Sequence, residues 1–222
     1  MQKNEVIKRY MVFFLGQLVI ALGIAILAKE NLGTSPLSSV PYVLNKRFPT
    51  FPKTAIESYG YFTFFWNALM LLTQIIILRK DFKKIQLFQL PLTLVLSFFI
   101  NLWLKVFSFY TPNGYLEELL LVIAGCIVSA LGIVLTVVPN VVMSSGEALT
   151  VVLANKLNRN LGFIKVAFDC VLVVVAAILC KAMFGNVLEY VREGTLINAV
   201  FTGVFINFFM SLIKKPLEKF MT

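Results

Sequence analysis

The sequence predicts an all-α integral membrane protein: six transmembrane helices arranged as an inverted 3+3 repeat, each half carrying a polar break and a short helix. Three observations predict it. Of the 222 residues, 59% are hydrophobic and only 14% charged, where a soluble domain has roughly 45–50% apolar and about 25% charged residues. Six apolar runs each approach the ~20 residues needed to cross the hydrocarbon core. And one segment occurs twice: "ALGIAILAKENLGTSPLSSVPYVLNK" at 21–46 returns as "ALGIVLTVVPNVVMSSGEALTVVLANK" at 130–156.

The expected spans are Val12–Ala28, Tyr59–Leu78, Leu87–Phe107, Leu119–Val138, Phe163–Ala182 and Leu196–Leu212. Mean hydropathy is +0.87. Lys3, Lys8 and Arg9 precede the first run as in a signal peptide, but no A-x-A-like site ends it, so it reads as an uncleaved span. Short connectors leave no room for a soluble domain. Residues 1–112 form the first three-helix half and 113–222 the second, together one membrane domain.

The net charge is +9. On a soluble protein that would suggest nucleic acid; here the excess of Lys and Arg in cytoplasmic loops accounts for it. One side collects Lys3, Lys8, Arg9, Arg79, Lys80, Lys83, Lys84, Lys156, Arg159, Lys165, Lys214, Lys215 and Lys219. The other keeps Lys29, Lys46, Arg47, Lys53, Lys105, Lys181 and Arg192. Both termini are therefore expected in the cytoplasm, with Lys46, Arg47 and Lys53 narrowing the margin.

The repeat aligns Ala21–Ile24 with Ala130–Ile133 and Asn31 with Asn140. One inserted residue then brings Thr34-Ser35 onto Ser144-Ser145 and Asn45-Lys46 onto Asn155-Lys156. Phe65-Trp66-Asn67 falls near Ala167-Phe168-Asp169, and Phe99-Ile100-Asn101 recurs as Phe205-Ile206-Asn207. Three spans per half is an odd number, so the second half must cross the opposite way. Many secondary transporters are built from such inverted repeats, with the solute near the midplane between them.

In the first break, Asn31 and Gly33 suit a helix end. Ser35 reads as an N-cap and Pro36 as the first position of a short helix to about Asn45. In the second, Ser144 and Glu147 have capping-box spacing, predicting a helix from Ser145 to about Asn155. Both are too short to span, and are either re-entrant or interfacial. Helix starts carry partial positive charge and free N–H groups. Irregular backbone at membrane depth is tolerated only when buried in protein or lining a cavity.

The expected solute-binding residues are Asn31, Thr34, Ser35, Asn67, Asn140, Ser144, Ser145, Glu147 and Asp169. An ionisable group inside a span usually faces a bundle interior or a water-filled cavity. Asp169 is the clearest case, inviting a proton, a cation or an amine-bearing solute; a pair with Lys165, one turn away, is the structural alternative. Asn101 and Asn207 occupy matching places in the third and sixth spans, as helix-packing or site-lining groups. Ala21 and Ala25 form a small packing face.

With no His in the chain a Ser-His-Asp arrangement is impossible. Cys126, Cys170 and Cys180 lack metal or redox spacing and read as apolar filler. There is no phosphate-binding fingerprint. Glu147 and Asp169 are the only candidates for an aspartyl-enzyme pair, and nothing in the sequence places them together. No catalytic role, cofactor or metal is expected.

"LGTSP" after a first apolar helix, then "SSVPYVLN" and later "SSGEALT", resembles the YczE/YyaS group of bacterial membrane proteins, related to the YitT-like proteins. The resemblance covers the whole chain and implies a multi-pass protein of the bacterial cytoplasmic membrane; it implies no particular substrate. The expected function, from the repeat, is a small secondary transporter for a polar or charged metabolite. A membrane substrate-binding subunit of a multi-component importer and a non-transporting regulator or scaffold are the alternatives. The expected partners are membrane lipid and a small-molecule solute, with a homodimer left open and no nucleic acid.

Overall fold

Every apolar run folds into a helix. With no water in the bilayer core, a single segment can satisfy its own N–H and C=O groups only by helical hydrogen bonding. The computed structural model describes residues 3–28, 32–49, 55–186 and 190–221, and the side chains of 3, 55–61 and 101 fall outside that description. Among the described residues the regular elements are helical: α1 (Lys3–Leu27), α2 (Pro36–Arg47), α3 (Ala55–Leu78), α4 (Gln89–Val106), α5 (Tyr115–Val137), α6 (Ser145–Leu157), α7 (Leu161–Phe184) and α8 (Glu193–Met221). Six of them are long and apolar enough to cross a membrane. The short helices, of 12 and 13 residues, are not. The protein is an all-α integral membrane protein.

The helices outrun the apolar stretches that announce them. α1 begins well before Val12, and α8 continues past Leu212 to Met221, with Pro216 within it. Polar residues continue a helix once its apolar part has nucleated it.

α1 and α5 run antiparallel at the centre, and small residues let them touch. A Cβ on Gly23 would stand 2.6 Å from the backbone nitrogen of Ser129, and one on Gly132 would stand 2.5 Å from that of Ile20. No side chain fits at either place. Gly16 meets Thr136, and Gly125 meets Leu27. These contacts exchange in pairs. The shift that carries Gly16 onto Gly125 also carries Gly23 onto Gly132, Leu27 onto Thr136 and Ile20 onto Ser129. Ala21, Ala25 and Ala130 are fully buried nearby.

Around this pair, α4 packs on α1 as α8 packs on α5. α2 and α6 each lie against both α3 and α7. The outer faces are apolar: Phe65 and Leu69 of α3, Leu94 and Phe98 of α4, and Val171 and Ile178 of α7 are exposed, a surface suited to lipid rather than water.

The four basic segments gather at one end. The Arg9 guanidinium donates to the Pro139 carbonyl at 2.9 Å. Arg9, Lys83 and Lys156 line one cavity, and Met221 packs on Val12 and Leu135. The N-terminal helix start, the α3–α4 link, the α6–α7 link and the end of α8 therefore share a side.

One detail of the expected alignment changes. The N-caps of the short helices are Ser35 and Ser144, which keeps the separation of Asn31 from Asn140. The inserted residue thus falls inside the second short helix, which is one residue longer, and not before it.

Candidate functional site

The short helices begin inside the protein. Pro36, Ser39, Val40 and Pro41 of α2 are buried, as are residues 145–150 of α6. The two starts meet: a Cβ on Gly146 would stand 2.5 Å from Leu37 Cδ2. Pro41 has no N–H to offer the carbonyl of Leu37, so the first turn of α2 carries an acceptor that an ordinary helix would use internally. Helices lying on the surface would not place their first turns against one another.

Ser35 and Ser144 have extended backbone, with ψ of 144° and 155°. Neither hydroxyl caps its helix. Ser35 Oγ donates to Ser38 Oγ at 3.1 Å. The Ser144–Glu147 capping box is therefore not formed. Such a box satisfies N–H groups at an open helix end; here Ser144 and Glu147 are only 4% and 7% exposed. Glu147 instead lies within electrostatic reach of Asp169 on α7.

Each lead-in is held by a different clamp. Gly33 has φ +136°, where only glycine is at ease. The next residue, Thr34, donates its N–H to the hydroxyl of Thr195 in α8 at 3.0 Å, and Gly194 N–H donates to the Leu32 carbonyl at 2.9 Å. At the other break, Asn140 takes the left-handed conformation with φ +55°. The first carbonyl of α6, that of Ser145, accepts from Gln74 Nε2 at 3.0 Å. Gln74 and Gln89 also join their amides reciprocally, at 3.0 and 2.9 Å. Both glutamines are buried. So the start of α8 steadies α2, and the start of α4, through Gln74, steadies α6.

The charged centre lies on α6 and α7. Lys165 Nζ contacts Asp169 Oδ1 at 2.8 Å, with both side chains nearly closed to solvent. Asp169 Oδ2, Glu147 Oε2 and Ser145 Oγ are buried without a hydrogen-bond partner. The two carboxylates that the sequence left apart lie within electrostatic reach of each other, and the ion pair weighed as an alternative to function is formed.

The other expected residues divide. Asn67, the positional match of Asp169, donates Nδ2 to the Thr63 carbonyl of its own helix at 2.9 Å and does not join the cluster. Asn207 accepts from Gly162 N–H at 3.0 Å, pinning the start of α7 to α8; its role is packing. Asn140 is exposed and lines the cavity described next. Asn31 lies outside the described residues, as does the side chain of Asn101. Gln74 and Gln89 were missed, although each interrupts an apolar run ("LLTQIIIL", "QLPL") and could have been flagged.

A cavity of about 870 Å³ opens at the basic end. Arg9, Asp81, Lys83, Asn140 and Lys156 line it, with Gln89, Met143 and Ala148 among its apolar and amide walls. It therefore reaches the first turn of α6, one residue from Glu147. Among the described residues no group of three or more His, Cys, Asp or Glu side chains could hold a metal ion.

A model described as a family of unknown function, DUF6198, matches residues 7–211. The chain belongs to this family. The DUF6198 match runs from α1 into α8 and includes both short helices. No curated protein and no solved structure matches the chain.

Proposed function

We propose that this protein is a small secondary transporter for a polar or charged metabolite, with its site between two inverted halves. One observation carries the reading: the two short helices start in the interior with their first turns in contact, and the buried Glu147 in the first turn of α6 lies within electrostatic reach of the buried Lys165–Asp169 ion pair. Half-helix starts that meet at depth present N–H groups to a solute, the arrangement inverted-repeat transporters use. The exchange of contacts between α1 and α5 supports the inversion, because antiparallel helices that swap under one shift are related by a two-fold axis across them.

The cavity reaching α6 from the basic end supports a state open to the cytoplasm, if Lys and Arg mark that side. On this reading both termini are cytoplasmic and the membrane is the bacterial inner membrane. That location, and kinship with the YczE/YyaS group, rest on "GTSP" and "SSGEALT".

An aspartyl hydrolase would also want two neighbouring carboxylates. It would need both to face a shared water, whereas Lys165 bonds one of them and neither lines the cavity; this favours transport.

The test is solute flux into liposomes holding the purified protein alone, across a panel of amines, amino acids and organic acids. Uptake of one class supports the reading. Binding without flux would point to a substrate-binding subunit of a larger importer, and neither to a regulator or scaffold.

A further inference from the structure

We propose that the cavity at the basic end and an apolar groove beside it together bind one anionic phospholipid, with the phosphate among Arg9, Lys83 and Lys156 and one acyl chain between α1 and α4. This goes beyond the transport reading and does not rest on it.

Two cavities share a wall here. Tyr10, Ile85 and Val142 bound the basic cavity of about 870 Å³, and the same three residues bound a second cavity of about 280 Å³. The second lies between α1 and α4, lined by Phe14 of α1 and by Pro91, Leu92 and Val95 of α4. Apart from the Tyr10 hydroxyl, its side chains carry no polar group. Phe14, Phe88 and Pro91 are exposed, so the groove opens sideways to lipid. Hydrocarbon fits it and water does not.

The basic cavity has the opposite chemistry. Arg9, Lys83 and Lys156 stand against a single carboxylate, Asp81. None of these four forms an ion pair among the described residues. Three cations against one carboxylate leave two surplus positive charges on its walls. Arg9 is held by its bond to the Pro139 carbonyl. That bond uses one of its N–H donors, and the planar guanidinium matches a phosphate.

Chain position puts these charges at head-group depth. Arg9 comes just before Val12, where the first apolar run begins, and Lys83 just before Leu87, where the third begins. From the shared wall the groove continues inward, from Tyr10 to Phe14 on one side and from Phe88 to Val95 on the other. A phosphate held by the cations would therefore send its acyl chain along the groove. Basic pockets between spanning helices recruit anionic head groups. A soluble anion would leave the groove empty. A zwitterionic lipid would bring another cation among three. Charge and shape together select an anionic lipid.

The test is native mass spectrometry of the full-length protein in detergent. It is titrated with phosphatidylglycerol, with phosphatidylcholine of the same chains, and with glycerol phosphate as the head group alone. One phosphatidylglycerol should bind roughly tenfold or more tightly than phosphatidylcholine, and glycerol phosphate should not displace it. Lys83→Gln and Lys156→Gln should each weaken phosphatidylglycerol roughly fivefold, the factor for one basic residue at a membrane surface, and leave phosphatidylcholine unchanged. Lys215→Gln, exposed near the end of α8 and outside the cavity, should change nothing. Val95→Trp fills the groove and should weaken phosphatidylglycerol. Size-exclusion elution reports whether each variant folds. Should Val95→Trp fail, the comparison with glycerol phosphate decides the role of the chain. Equal binding of the two lipids, or equal losses in Lys215→Gln and the cavity variants, overturns the proposal in favour of unspecific lipid. Glycerol phosphate that binds as tightly as phosphatidylglycerol overturns it in favour of a soluble anion. Since no flux is measured, its failure and that of the transport reading are separate results.

Discussion

Leu37 and Gly146, each the second residue of a short helix, stand against one another in the interior. The shift that pairs Ser35 with Ser144 pairs these two as well. In the proposed inverted repeat, a contact between equivalent residues would lie on the axis that exchanges them. Gly146 is what permits it, since even a methyl group there would overlap the Leu37 side chain.

Gly146→Val should therefore lower stability by about 1–3 kcal/mol, the usual penalty of overpacking. Adding Leu37→Ala should restore part of the loss, because the overlapping atoms are gone. Thermal unfolding in detergent checks this. Losses that simply add would mean that the two helix starts do not press on each other.

Gly23→Val and Gly132→Val should be destabilising to similar degrees. Each puts a side chain against the backbone of the facing helix, at Ser129 and Ile20 respectively. Backbone cannot rotate aside as a side chain can. Melting temperatures of the two variants should fall together; a large loss in one alone would argue against equivalent halves.

Gln74→Leu should cost about 1–3 kcal/mol, because it leaves the buried Gln89 amide and the Ser145 carbonyl short of a partner. Gln74→Leu with Gln89→Leu should cost less than the sum of the single changes. A double-mutant cycle on unfolding free energies reads the coupling, and a value near zero would show that the amide pair contributes nothing.

Local chemistry explains what was legible in the sequence. Apolar runs mark the six spans because hydropathy is a property of contiguous residues. Ser35-Pro36 and Ser144-Ser145 mark the helix starts because caps and proline act within one turn. Partner choice is not local. Glu147 has capping-box spacing, yet the fold buries it within electrostatic reach of Asp169 on another helix. Asn67 matches Asp169 in position, but bonds back to Thr63 and stays out of the cluster. The Gln74–Gln89 pair joins two helices whose register is set by the turns between them. Such contacts follow from packing, which a pattern of residue types does not contain.

Once a solute is found, Asp169→Asn should abolish flux or its pH dependence while the protein still folds, since the amide can hydrogen-bond but cannot ionise. Ser35→Ala should have the smaller effect: its hydroxyl caps nothing and bonds only Ser38. Flux in matched liposomes at several pH values compares them. Unchanged uptake and an unchanged pH profile in Asp169→Asn would remove that residue from the site.

Alternating access between inverted halves is the central claim, and thiol labelling from each side of the membrane tests it most directly. Val151 of α6 lines the cavity at the basic end. The shift that relates the helix starts carries Tyr42 of α2 onto Val151. In a chain whose three native cysteines are replaced, Val151→Cys should react with an impermeant reagent from the cytoplasmic side and Tyr42→Cys from the opposite side. Closing the cytoplasmic opening with a cross-link at the first position should hold the second open to labelling. Reaction of both from one side, or of Val151→Cys alone under every condition, would contradict the account.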